Sequence, residues 1–113
     1  MFLNLSNHPS DHWAEKQLAA AGDKVMDMHF PLVDPDGTEA YIEQLANEYL
    51  QRIMAIDNVA AVHIMGEMNF TFSLINKLKS KGIKCVASTT KRIVTEVDGH
   101  KISTFEFVRF REY

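Results

Sequence analysis

The sequence contains only one cysteine, Cys85, among its 113 residues. A single cysteine cannot form a disulfide within the chain, and its apolar neighbours favour a buried thiol without a redox role. No apolar run approaches the ~20 residues that a membrane-spanning helix needs. Residues 1–6 are too few and lack the basic charge of a secretory signal. These absences lead us to expect a cytoplasmic protein that does not bind a membrane.

Several familiar catalytic motifs are also missing. The sequence has no GxGxxG, no Walker loop and no nucleophile elbow, which argues against the classes of enzyme that those motifs define. His8 and His12 have the spacing of metal ligands on a helix, but Pro9 disfavours one helix through both and no third ligand follows nearby. We therefore expect no metal and no cofactor.

Basic residues are too few to coat the protein for DNA binding, since the net charge is −3. The charge is nevertheless unevenly distributed. Residues 1–56 contain three basic and nine acidic side chains, whereas residues 57–113 contain nine basic and six acidic ones. We expect a small anionic ligand to contact the second half of the chain.

The apolar pattern predicts one α/β domain over residues 1–113. Residues 59–66 are almost continuously apolar and rich in β-branched side chains, which is typical of a strand covered on both faces. Gly66 ends this strand, and apolar residues at helical spacing follow it. The other predicted strands are 2–5, 24–30 and 83–87, and the predicted helices are 13–21, 38–56 and one ending at Gly82.

Strands and helices alternate along the chain, which favours a parallel sheet with right-handed crossovers. Asp98-Gly99 lies between two β-branched runs and predicts a C-terminal antiparallel hairpin. We expect Arg109 and Arg111 to share one face of the last strand with Phe105 and Phe107, as charges on an edge strand. The fold should be a three-layer Rossmann-like sandwich with a mostly parallel sheet and this terminal hairpin.

Three polar segments are predicted as loops, residues 6–8, 66–69 and 88–92. They follow the carboxyl ends of strands that such a fold brings to one edge of the sheet. Their hydroxyls and amides, and the free N–H groups of the helix after Gly66, could hold phosphate or ribose. Alternatively, the hydroxyls only cap and turn the chain, and the Glu67 carboxylate only complements a helix dipole. The candidate ligand-binding residues are Asn7, Gly66, Glu67, Met68, Asn69, Ser88, Thr89 and Thr90.

Four segments resemble small stand-alone CRISPR-associated proteins with the CRISPR-associated Rossmann (CARF) fold. They are Asn7-His8-Pro9 and residues 65–70, 87–92 and 107–113. The resemblance runs nearly end to end, so the fold implied is a CARF-like sandwich. It implies a ring nuclease of type III CRISPR immunity, which is a homodimer that binds a cyclic oligoadenylate messenger across its two-fold axis. Cyclic tetra-adenylate is the expected ligand.

The chemistry implied by the resemblance needs no metal. A ribose 2′-hydroxyl attacks the neighbouring phosphorus and leaves a 2′,3′-cyclic phosphate and a 5′-hydroxyl. We expect Arg92 and Lys91 to stabilise the developing negative charge and His8 to act as general acid or base. Alternatively, His8 is a surface histidine without a catalytic role. We expect His63, in the central strand, to be a core histidine with satisfied hydrogen bonds.

Two other functions remain open at this point. The chain could bind the same messenger without cleaving it, as a sensor or sponge, because binding and in-line cleavage need the same contacts. It could also be a Rossmann-like protein for an unrelated phosphorylated metabolite.

Overall fold

The computed structural model describes residues 1–113. Its strands are β1 (Phe2–Ser6), β2 (Val25–His29), β3 (Ala61–Met65), β4 (Cys85–Val97) and β5 (His100–Glu112). A 3-10 turn (Ser10–His12) precedes the helices α1 (Glu15–Ala21), α2 (Glu39–Met54) and α3 (Met68–Ser80). One sheet has the order β2-β1-β3-β4-β5, parallel from β2 to β4 and antiparallel between β4 and β5. The predicted α/β fold with a mostly parallel sheet and a C-terminal hairpin is confirmed.

The larger hydrophobic core lies between the sheet and the helices α2 and α3. Successive side chains of a strand point to opposite faces, so Leu3 and Leu5 of β1 and Val62 of β3 share the face toward these helices. The apolar stripe of α2, with Tyr49 and Ile53, is buried against them as its spacing predicts.

The opposite face of the sheet is covered by the 3-10 turn and α1. A small aromatic cluster forms there, in which the Phe2 and Phe110 ring centroids are 4.8 Å apart and those of Trp13 and Phe110 are 5.9 Å apart. Helix α1 has only seven residues. It therefore leaves the carboxyl ends of the neighbouring strands uncovered on this face.

Residues 88–92 are not a loop, and that prediction is wrong. They continue β4 because β5 lies antiparallel to them and supplies hydrogen-bond partners beyond the short parallel pairing of β4 with β3. The two long strands extend past the sheet as a ribbon. The ribbon accounts for a radius of gyration of 15.9 Å, against about 13 Å for a compact chain of this length.

A β-bulge interrupts the ribbon. Thr89 pairs with Arg109 and Thr90 pairs with Phe107, which leaves Val108 without a partner. The extra residue puts Phe107 on the same side as Phe110, with ring centroids 4.9 Å apart. The expectation that Arg109 shares a face with Phe107 is therefore wrong, because Thr89 and Thr90, their partners, face opposite ways.

The structure also explains the glycine that ends β3. A Cβ atom at Gly66 would overlap the Phe30 ring, which packs edge-to-face on Phe70 with centroids 5.2 Å apart. We predict that Gly66→Ala lowers the free energy of unfolding by about 1–3 kcal/mol, the usual effect of overpacking. Urea denaturation of Gly66→Ala, Phe30→Ala and the double variant measures it. An equal loss with and without the Phe30 ring would contradict this explanation.

Candidate functional site

Four polar side chains form a continuous row of hydrogen bonds across the sheet, on the α1 face. We call Asp27, Asn4, His63 and Ser88 the polar chain; they come from β2, β1, β3 and β4, which is the order of the strands in the sheet. Asn4 Nδ2 donates to Asp27 Oδ1 over 2.9 Å, and Asn4 Oδ1 lies 2.8 Å from His63 Nδ1. His63 Nε2 lies 2.8 Å from Ser88 Oγ. Each of the four parallel strands thus contributes one member.

Asn4 is the centre of the polar chain and is 1% exposed. Its amide nitrogen also donates to the His8 carbonyl over 2.9 Å, and its amide oxygen accepts from the Ser6 hydroxyl over 2.8 Å. All four hydrogen-bonding positions of the amide are therefore used. A buried polar group without a hydrogen-bond partner destabilises the folded state by about 1–3 kcal/mol. Because every hydrogen-bonding position of Asn4 has a partner, its side chain can be buried without this loss.

His63 is 2% exposed and lies between Trp13 and Phe110, with ring centroids at 5.4 and 5.5 Å. Burial, with a smaller effect from nearby His8, lowers the pKa of His63 from its ordinary 6.5 to about 4. The imidazole is therefore neutral at pH 7. The expectation of a core histidine with satisfied hydrogen bonds is confirmed.

The polar chain also fixes the segment after β1. The Asp27 carboxylate accepts from the Ser10 backbone N–H over 3.1 Å and from its hydroxyl over 2.9 Å. The His8 carbonyl accepts from Trp13 Nε1 over 3.1 Å, besides Asn4. Residues 8–13 are thereby held against the sheet edge, where they form one wall of an open cavity.

This cavity, of about 420 Å³, lies where α1 leaves the sheet uncovered. It is lined by His8, His12, Trp13, Gln17, His63, Met65, Ser88, Thr90 and Phe105. Gln17 Nε2 donates to Ser88 Oγ over 3.1 Å. The structure thus brings together three of the sequence-predicted site residues, His8, Ser88 and Thr90, which come from the segment after β1 and from β4.

The model of the Uncharacterized protein MJ1673 family matches residues 1–111. The chain belongs to the MJ1673 family. No curated protein and no solved structure matches it. The family match spans all four members of the polar chain and every residue that lines the cavity.

Other predicted site residues of this MJ1673-family chain lie elsewhere. Gly66 and Met68 line a second cavity of about 520 Å³ on the α3 side, and Met65 lies between the two cavities and lines both. Asn7 is exposed and lines neither. Thr89 Oγ1 bonds to the Arg109 backbone on the other face of the ribbon from Thr90.

Glu67 occupies the helix N-terminus that was expected to receive phosphate. Its carboxylate accepts from the Asn69 N–H over 2.7 Å and from the Phe70 N–H over 2.9 Å. A phosphate would have to displace this cap and would meet the negative charge of Glu67. Glu67 therefore acts as the helix cap that was its alternative role, and the expectation that the N–H groups after Gly66 hold phosphate stays a prediction.

The two predicted cations lie on the ribbon and line neither cavity. Arg92 shares the face of Thr90, pairs with Phe105 at the cavity wall, and donates to Ser103 Oγ over 3.0 Å. Lys91 points to the opposite face because adjacent residues of a strand alternate. Arg92 is thus near the cavity entrance, whereas Lys91 is directed away from it.

Sequence reasoning missed Asn4, Asp27, Trp13 and Gln17 as parts of the site. The available signal was the alternation of polar Asn4 and Ser6 with leucines in a short strand, because a buried polar residue needs a partner. No group of three His, Cys, Asp or Glu side chains is arranged to hold a metal ion. None of the helices has the length and apolarity required to cross a membrane.

The low pKa of His63 makes the stability of this MJ1673-family protein depend on pH. Between pH 6.5 and about 4 the unfolded chain binds a proton at His63 that the folded chain does not, so stability falls as the pH falls. We predict that His63 contributes about 3 kcal/mol to this loss. Urea denaturation at pH 7.0 and at pH 4.5 measures the loss of unfolding free energy between the two. His63→Gln should lose less than wild type, and the control His100→Gln, whose histidine is exposed beside the hairpin turn, should lose as much as wild type. An equal loss for His63→Gln and wild type would contradict the assignment.

Proposed function

We propose that this MJ1673-family protein is a CARF-like ring nuclease of type III CRISPR immunity that cleaves a cyclic oligoadenylate, with cyclic tetra-adenylate as its substrate. The observation that carries the proposal is the cavity at the carboxyl ends of the strands, where His8, Ser88 and Thr90 meet. Carboxyl ends of parallel strands are the usual place for nucleotides in such folds. The resemblance of the surrounding segments to ring nucleases supports the choice of ligand.

The cavity walls suit a ribonucleotide. Phe105 is 68% exposed and lines the cavity, and an exposed aromatic ring can stack on a base. Ser88, Thr90 and Gln17 supply polar groups for the sugar. A cavity of about 420 Å³ is too small for a ring of four nucleotides. We therefore include in the proposal a homodimer in which a second copy receives the other half of a symmetric ligand.

The proposed reaction is attack of a ribose 2′-oxygen on the adjacent phosphorus. The 2′-oxygen–phosphorus bond forms, the bond to the 5′-oxygen breaks, and the 2′-hydroxyl proton is transferred away as the 5′-oxygen gains one. His8 lines the cavity and is exposed, and an imidazole can donate or accept a proton near neutral pH. Arg92, on the ribbon face of Thr90, would approach the phosphate as the charge develops.

A binding-only sensor or sponge is the second candidate function. It is favoured by the positions of Lys91 and Arg92, because neither lines the cavity and stabilisation of a phosphorane-like transition state needs a nearby positive charge. Such a protein would hold the same ligand through the same hydroxyl and aromatic groups.

We predict that the protein converts cyclic tetra-adenylate to linear products with 2′,3′-cyclic phosphate ends in the presence of EDTA, as followed by mass spectrometry. His8→Ala should lower kcat about 100-fold, the smaller end of general acid–base effects, and leave the Kd nearly unchanged. Lys101→Ala, at the far end of the ribbon, serves as control. Tight binding of intact ligand would support the sponge, and absence of binding would contradict both functions.

Arg92→Ala should weaken binding or turnover of cyclic tetra-adenylate at least tenfold, equivalent to ~1.4 kcal/mol, because it removes the positive charge nearest the cavity entrance. Lys101→Ala removes a positive charge from the same ribbon and should have little effect. Calorimetric titration measures the affinity for the ligand, and single-turnover cleavage measures the rate of the reaction. Activity and affinity of Arg92→Ala equal to those of Lys101→Ala would remove Arg92 from the site.

A further inference from the structure

The directions of the hydrogen bonds in the polar chain determine what the cavity can accept. We infer that the Ser88 hydroxyl faces the cavity only as a hydrogen-bond acceptor, so that the ligand group bound there is a donor. On the proposed function, on which this inference rests, that donor is a ribose 2′-hydroxyl. Ser88 is then a specificity-determining residue that distinguishes ribose from 2′-deoxyribose.

The first step is the orientation of the Asn4 amide. One end of the amide contacts Asp27 Oδ1 and the His8 carbonyl oxygen, at 2.9 Å each. Both of these atoms can only accept, so the amide end that contacts them is the NH₂ group. The other end, which contacts His63 Nδ1, is therefore the amide oxygen, and this oxygen can only accept.

The second step is the tautomer of His63. Because Asn4 Oδ1 accepts, the Nδ1 atom at 2.8 Å must carry a hydrogen and donate it. Burial keeps the pKa of His63 at about 4, so the ring is neutral at pH 7 and has only one N–H. The Nε2 atom, 2.8 Å from Ser88 Oγ, then has a lone pair and accepts the Ser88 hydrogen.

The third step is the state of Ser88 itself. A hydroxyl has one hydrogen and two lone pairs; the hydrogen is directed to His63, and Gln17 Nε2 donates to one lone pair over 3.1 Å. One lone pair is left for the cavity that Ser88 lines. A phosphate oxygen has no hydrogen to offer it, so of the two ligand groups expected from the sequence, phosphate and ribose, ribose is the one that fits Ser88 in this geometry.

The remaining lone pair fits a hydroxyl or an amine. A bound adenylate offers both, the 2′-hydroxyl of its ribose and the exocyclic amine of its base. We assign the 2′-hydroxyl, because Phe105 is the exposed phenyl ring in the cavity lining and can stack on the base. Ser88 is less exposed than Phe105, so a base stacked on Phe105 leaves the sugar on the side of Ser88. His63 and Asn4 act on the ligand only through Ser88, as positioning residues.

The test uses analogues of cyclic tetra-adenylate that differ only at the 2′ position. The 2′-amino analogue can donate a hydrogen bond, whereas the 2′-fluoro analogue cannot. We expect calorimetric titration of wild type to give at least tenfold tighter binding of the 2′-amino analogue. In Ser88→Ala the ratio of the two affinities should fall to near one, and in the matched control Ser80→Ala, on the far end of α3, it should stay at the wild-type value.

The other outcomes are distinct. If no analogue binds, the proposed function is wrong and this inference fails with it. If both analogues bind wild type equally, the inference is overturned and the proposed function stands. If Ser88→Ala still prefers the 2′-amino analogue, another residue accepts that hydrogen bond, and the inference is overturned. A third analogue lacks the exocyclic amine of the base. If Ser88→Ala abolishes the affinity loss of this analogue but not that of the 2′-fluoro analogue, Ser88 contacts the base amine and the 2′-hydroxyl assignment is overturned.

Discussion

The hydrogen bond between Asn4 and His63 joins the central strand β3 to its neighbour β1, and much of the structure depends on it. Both residues are buried and lie directly opposite each other in the register of β1 and β3. A shift of β1 by one residue against β3 would turn Asn4 to the opposite face of the sheet and leave His63 behind. The pairing would then leave a polar amide and an imidazole in the core without partners, at a cost of several hydrogen bonds.

The same interaction connects the fold to the cavity. On one side of it, Asn4 and Asp27 hold the segment that carries His8 and Ser10 against the sheet. On the other side, His63 fixes the hydroxyl of Ser88. The short α1 and the projecting ribbon leave the space between these two elements open, so one hydrogen-bonded network supports both walls of one accessible site.

The elements of the fold could be predicted from the sequence because each follows from local apolar periodicity and turn residues, as in α2 and the Asp98-Gly99 turn. The continuation of β4 and the bulge at Val108 could not, because they depend on pairing with β5 rather than on local preference. The polar chain was missed for the same reason: Asn4 and His63 are 59 positions apart in sequence. Ser88 and Thr90 were found because hydroxyls after a buried strand are a local signal.

The central claim is that His63 is neutral because it is buried, and that the polar chain places its one N–H on Nδ1. The most direct measurement is ¹⁵N NMR of the imidazole groups in the folded protein at pH 7, with His63 assigned by comparison with His63→Gln. We expect a protonated Nδ1 and an unprotonated Nε2 that accepts a hydrogen bond. A proton on Nε2 alone, or on both nitrogens, would contradict the claim.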